Sequence, residues 1–286
     1  MWIFYAITSS FFAGITSILA KCGIQKTNSN VATAIRTIVV LLFSWLIVFI
    51  TGTETEILHI NNKTLMFLIL SGIATGISWL CYFHALQKGD INKVVPIDKS
   101  STVLTILLAL IFLQEGFTWV KGISVVLIGV GTMFMISKKE IVSDKKEGNW
   151  LIYAILSAVF ASLTSILGKV GVEGIDSNLG TAIRTTVVLI MAWIMVFVTK
   201  EQHEVKNVDK REFVFICLSG IATGASWLCY YKALKDGLAG VVVPIDKLSM
   251  IITIIFSFVV FHEKLTKKAI VGLIFIVIGT ILLALF

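Results

Sequence analysis

Ser71–Leu86 reads SGIATGISWLCYFHAL and Ser219–Leu234 reads SGIATGASWLCYYKAL, identical at 13 of 16 positions. The same offset of 148 residues pairs TAIRT at 33–37 with TAIRT at 181–185, and VVPIDK at 94–99 with VVPIDK at 242–247. The match runs the whole length without a gap, so the chain is an internal duplication. The first copy is 1–138 and the second 149–286, joined at 139–148 by a link rich in Lys, Glu and Asp.

Each copy holds five apolar runs. They lie near 3–20, 31–51, 64–86, 94–113 and 117–136, then near 151–168, 179–199, 213–235, 242–261 and 268–286. Apolar residues make up 57% of the 286 and charged residues 14%, against the ~25% charged that keeps a soluble domain wet. Most runs reach the ~18 residues that mark a membrane helix. The expected fold class is therefore an all-α polytopic membrane protein of ten transmembrane helices. Five is odd, so a short link sends the second copy into the bilayer upside down, as in the inverted repeats of many secondary transporters.

The net charge of +7 does not point to nucleic acid, because the basic residues sit in the links between runs. With both termini outside, the cytosolic links carry 15 Lys and Arg and the outer links five, a bias that favours outside termini. The link at 52–63 has one basic residue while its counterpart at 200–211 has four. Placement in a cell inner membrane follows from this pattern, and no cleavable leader is read, since the first run opens at Trp2 and ends at Lys21. Cys22, Cys81, Cys217 and Cys229 show no CxxC spacing, and His59, His84, His203 and His262 form no cluster. No cofactor or metal is implied.

The duplicated SGIATG/SWLCY and VVPIDK segments, the two five-helix halves and a Glu after the fourth run of each (Glu115, Glu263) resemble the EamA family of the drug/metabolite transporter superfamily. The resemblance covers the whole chain, and each half is similar to the single-copy five-helix members, as though two had fused. It implies a transporter and leaves the cargo open. It also implies cytosolic termini, the family habit, against the charge count.

Polar residues fall inside the runs. Arg36 and Arg184 lie six residues past Asn30 and Asn178, read as helix N-caps, which puts them about 9 Å into the second and seventh runs. Asp98, Lys99, Asp246 and Lys247 follow Pro96 and Pro244 near the starts of the fourth and ninth. An ionisable group in a span is a functional hypothesis by default. Two plainer readings stand beside it. Proline at N1 followed by an acid is a good helix start, which would make both aspartates caps. Arg36 is the obvious partner for Asp98, which would make the arginine a structural tie.

The third run carries Ser71, Thr75, Ser78 and Tyr82 on one face, repeated as Ser219, Thr223, Ser226 and Tyr230, beside the close-packing pairs Gly72/Gly76 and Gly220/Gly224. Ser10, Gly14, Ser17 and Lys21 continue the stripe on the first run. Trp79 and Trp227 lie deeper than an interfacial belt and read as pocket walls. Hydroxyl stripes also serve merely to glue helices. The expectation is two equivalent polar clusters, one toward each side. The substrate residues are Arg36, Arg184, Trp79, Trp227, Tyr82, Tyr230, Ser78, Ser226, Lys99 and Lys247, with Asp98 and Asp246 as proton carriers.

These observations favour a secondary transporter of a small polar solute. Four basic residues less two acidic ones at depth leave +2, a lean toward anionic or zwitterionic cargo. A lipid or lipid-carrier flippase and an organic-cation exporter are the alternatives, although no acid occurs in the first or sixth run, where small multidrug relatives keep a glutamate. The expected partners are a small-molecule substrate, the bilayer and a coupling proton. One chain suffices as a fused pseudo-dimer.

Overall fold

A computed structural model describes residues 1–23, 26–88, 97–98, 100–135, 150–261 and 266–285. The first repeat contributes α1 (Trp2–Gly23), α2 (Ser29–Thr51), α3 (Asn62–Lys88), α4 (Ser101–Phe112) and α5 (Trp119–Met135). The second contributes α6 (Trp150–Val172), α7 (Ser177–Val198), α8 (Lys210–Asp236), α9 (Ala239–Lys247), α10 (Ser249–Phe261) and α11 (Lys267–Leu285). Seven helices among the described residues are long and apolar enough to span a bilayer, namely α1, α2, α3, α6, α7, α8 and α11. The fold is an all-α polytopic membrane protein.

The helix starts explain themselves locally. Asn28 caps α2 by accepting the N–H groups of Asn30 and Val31, and Asp176 caps α7 through Asn178 and Leu179. The caps thus lie two residues before the asparagines read as caps from sequence. Arg36 and Arg184 are accordingly deeper, roughly 12 Å from their caps at 1.5 Å per residue. That depth approaches the middle of a hydrocarbon core ~30 Å thick.

Contacts give the direction of every helix that matters. On α1 and α8, Trp2 meets Gly237, Ser9 meets Ser226 and Gly23 meets Ile216, so the two run antiparallel. Gly220 and Gly224 of α8 pack on Val39 and Phe43 of α2, which makes those two parallel. Val31 and Ile35 of α2 cluster with Ala192 and Val196, and Val48 with Leu179 and Ala182, so α2 opposes α7. Gly72 and Gly76 of α3 pack on Val187 and Met191 of α7 in parallel, while Gly171 of α6 meets Leu68 of α3 in an antiparallel pair. Following the chain of pairs, α6 runs opposite to α1. The repeats are inverted.

They also interlock. The first helix of each repeat packs on the third helix of the other, α1 on α8 and α6 on α3, while α2 meets α7 and α5 meets α11 across the pseudo-two-fold axis. The glycine pairs serve as read: a Cβ on Gly72 would stand 2.7 Å from Val187 Cβ, and one on Gly220 2.7 Å from Val39 Cβ. Without a hydrophobic drive between helices in lipid, such close backbone approach supplies the packing.

The ninth apolar run departs from the sequence reading, which took 242–261 as one helix starting near Pro244. Pro244 lies inside α9, whose residues from Ala239 to Ile245 are all buried, and the helix stops at Leu248 before α10 resumes. Pro244 cannot donate to the carbonyl of Gly240, so the hydrogen-bond ladder of this short helix is already incomplete in its first half. The buried N-terminus of α9 is satisfied by Glu115 of the other repeat, which accepts from Ala239 N at 2.6 Å and Gly240 N at 3.0 Å. A Cβ on Gly240 would sit 2.8 Å from the Glu115 carboxylate, so a larger residue there would have to push that side chain aside.

Candidate functional site

The broken run places Asp246 and Lys247 at the end of α9, beside a cavity of about 260 Å³ between the repeats. Its walls are Thr75, Ser78 and Trp79 of α3, Arg184 of α7, Ser226, Trp227, Tyr230 and Tyr231 of α8, and small residues of α1 and α6. Discontinuous helices near the midplane are where inverted-repeat transporters build their sites.

Arg184 is 2% exposed. Its Nε donates to Ser71 Oγ at 3.0 Å and its Nη2 to Thr75 Oγ1 at 2.5 Å, both on the opposite repeat. Its Cζ lies 5.1 Å from the Trp227 ring centroid and 4.8 Å from that of Tyr231, within reach of cation–π attraction. The Tyr230 hydroxyl meets Ser165 Oγ at 3.0 Å.

Asp246 does not cap a helix start, since it sits at the end of α9, while residues 89–96 ahead of Asp98 lie outside the described ones. Asp246 Oδ1 accepts from Ser9 Oγ at 2.7 Å, and Ser9 also meets Ser226 Oγ at 3.2 Å. Asp98 Oδ1 accepts from Ser157 Oγ at 2.6 Å, while Ser78 donates to Ser157 O at 3.0 Å. Residues 9, 226 and 246 thus repeat 157, 78 and 98 across the two-fold. No ion pair joins Arg36 to Asp98 among the described residues, so the tie expected between them is absent.

The structure therefore gathers Ser78, Trp79, Arg184, Ser226, Trp227, Tyr230, Asp246 and Lys247 around one cavity. Arg36, Tyr82 and Asp98 do not line it: Tyr82 packs beside Ile97 and Tyr153, and the Arg36 carbonyl backs onto Gly220. Lys99 lies outside the described residues. The cavity is lopsided toward the second repeat.

Four contributors were missed in the sequence. Tyr231 stands where the first copy has Phe83, and that departure from the repeat was its only signal. Ser9 and Thr16, not Ser10 and Ser17, face α8, with Thr223 Oγ1 at 3.3 Å from Thr16 Oγ1. Glu115 holds α9 in place, a role invisible without the neighbouring half.

A model of the EamA-like transporter family matches residues 1–137 and again 148–285. An uncharacterized transporter encoded in the cobO 3′ region of Sinorhizobium is 44% identical over 138 residues, 48% of this chain and 98% of that protein, which is thus about one repeat long. An uncharacterized transporter of Synechocystis is 23% identical over 213 residues, 70% of this chain and 59% of its own length. One crystal structure superposes with a TM-score of 0.77 over 99% of this chain and 97% of its own, at 13% identity, a likeness of fold alone. With the family matched over both halves of an inverted, interlocked bundle, the chain belongs to the EamA-like transporters of the drug/metabolite transporter superfamily.

Proposed function

We propose that the chain is a secondary active transporter that moves a small polar metabolite, anionic or zwitterionic in character, by alternating access between its inverted halves. One observation carries this reading. Arg184 is bonded to Ser71 and Thr75 of the other repeat, while Arg36, opposite the equivalent Ser219 and Thr223, has no such bonds among the described residues. The same sequence thus stands in two arrangements within one molecule. Exchange of the two arrangements moves the cavity from one repeat's cluster to the other's, which is alternating access in an inverted repeat.

In this reading the pocket residues of either half bind in turn, Asp98 and Asp246 carry a coupling proton, and one chain is the working unit in a cell inner membrane. The basic bias of the links supports termini outside the cytosol.

The test is purified protein in liposomes, screened against amino acids, organic anions and organic cations by solid-supported-membrane currents and by radiotracer counterflow. At least one class should give a signal absent from empty liposomes. Silence in both assays for all three classes rules the reading out.

A further inference from the structure

Arg184 carries an unanswered donor. Nε and Nη2 are taken by the Ser71 and Thr75 hydroxyls, but the buried Nη1 has no hydrogen-bond partner. Among the described residues no carboxylate comes within 4.0 Å of the guanidinium. The Trp227 and Tyr231 rings attract the cation but offer Nη1 no acceptor of carbonyl strength. An arginine cannot shed its proton to escape burial, so a charge left unpaired at this depth is costly. The cavity it lines is where a counter-charge can enter.

The remaining lining narrows the ligand. Arg184 and Lys247 oppose Asp246, leaving one positive charge in excess. A phosphate dianion overshoots that balance, an organic cation sets like charge beside Arg184, and a zwitterion leaves the excess uncancelled. The indoles of Trp79 and Trp227 supply flat apolar walls. At roughly 30 Å³ per water, about 260 Å³ holds some eight or nine waters, room for a small organic molecule.

We infer that the cavity is a seat for a small organic monocarboxylate, its carboxylate on Arg184 and its body between Trp79 and Trp227. The inference rests on the transporter reading above and names the substrate class for the same cavity.

Two indoles in the wall make binding visible as tryptophan quenching in detergent-purified protein. Benzoate and lactate should quench saturably. Benzamide, matched to benzoate in shape but uncharged, should bind roughly tenfold to hundredfold more weakly, the usual worth of a charge-assisted hydrogen bond. Arg184→Gln should erase the preference for benzoate over benzamide, judged on protein that elutes as one monodisperse species. Wild-type protein gives a second readout: benzoate should protect Arg184 from phenylglyoxal, followed by peptide mass, while Arg211, exposed in the first turn of α8, stays reactive. Equal binding of benzoate and benzamide, tighter binding of phosphate, alanine or tetramethylammonium, or no protection of Arg184 each overturn the inference. If another class is transported while benzoate fails to bind, the transporter reading survives and only the monocarboxylate falls. If benzoate binds and no class is transported, the seat stands and the transporter reading falls.

Discussion

Ser9 Oγ donates to Asp246 Oδ1 at 2.7 Å, tying the first helix of one repeat to the broken helix of the other. The twin bond, Ser157 to Asp98 at 2.6 Å, does the same across the two-fold. Both carboxylates are thus held by the opposite half, and any rearrangement between halves must break or carry these bonds.

A double-mutant cycle on melting temperature in detergent reads this crossing. Ser9→Ala and Asp246→Asn should be coupled, with less loss together than the sum of the singles, by about 1 kcal/mol or more for a charge-assisted bond. Ser9→Ala with Asp98→Asn should be additive. Coupling in the second pair and none in the first would place the bonds within repeats and remove the latch.

The glycine seams give a second expectation. A Cβ at Gly72 meets Val187 Cβ at 2.7 Å and Arg184 O at 3.1 Å, neither of which is the free end of a flexible chain. Gly72→Ala should cost about 1–3 kcal/mol of stability and, by displacing α7, shift Arg184 and reduce transport. Gly116→Ala is the control, because nothing lies within 4 Å of the added Cβ, and it should stay within about 0.5 kcal/mol. Equal behaviour of the two would show that α3 and α7 do not rely on close approach.

The inversion and the glycine seams were legible in the sequence because a duplication of odd helix number dictates the first, and GxxxG at lipid depth dictates the second. The site was legible by residue type more than by arrangement. Hydropathy passes unbroken through Leu248, so the discontinuity that positions Asp246 left no apolar signature. Asn28 and Asn30 are both good caps, and only the backbone decides between them. Near-identical copies cannot reveal that Arg184 is engaged while Arg36 is not, since that difference lies in conformation. Ser9 and Ser10 are adjacent, and a one-residue shift in helical phase selects which one faces α8.

Glu201 predicts a pH effect. Burial pushes its carboxyl upward, but hydrogen bonds from Thr199, Asn30 and Asn28, with His203 nearby, outweigh this and hold it below the ordinary carboxylate value. A lowered folded pKa adds stability that is fully present above the ordinary value of 4.5 and is lost as pH falls through the lowered one. The melting temperature of Glu201→Gln should therefore approach that of wild type as pH drops below the ordinary value. The first copy has Thr53 at this position, so Thr53 variants should show no such convergence. A gap between Glu201→Gln and wild type that stays constant into acid would show that the carboxylate charge contributes nothing.

The link charges predict an orientation. Fifteen basic residues against five favour a cytosolic side for the α1–α2 and α7–α8 links, and these links lie side by side, with Glu212 accepting from Lys26 N and Thr27 N. A periplasmic phosphatase fused after Phe286 should be active, and a fluorescent protein there dark. The reverse pattern would show that the chain keeps the family's cytosolic termini in spite of its charge.

Asp98 and Asp246 separate a structural from a coupling role. A helix cap needs only an acceptor oxygen, and Asn would serve nearly as well. Asp246, however, ends α9, where a carboxylate faces the negative end of the helix dipole, and its hydrogen-bond partner among the described residues is Ser9 rather than a helix N–H. What remains is a carboxylate on the cavity wall, with Lys247, Arg184, Tyr230 and Tyr231 around it. Asp246→Asn keeps the size and an acceptor for Ser9 but cannot release a proton. The variant should fold, bind and perform counterflow at close to wild-type rates, because counterflow needs no net proton movement. Uptake driven by an imposed pH gradient should disappear. Asp98→Asn should do the same, although Asp98 does not line the cavity in this state, because the proposed exchange would bring each aspartate to the substrate path once per cycle. Gradient-driven uptake at wild-type rates in both variants would move the proton to another group. Loss in Asp246→Asn alone would leave the carboxylate chemistry intact but remove the symmetric exchange on which alternating access rests.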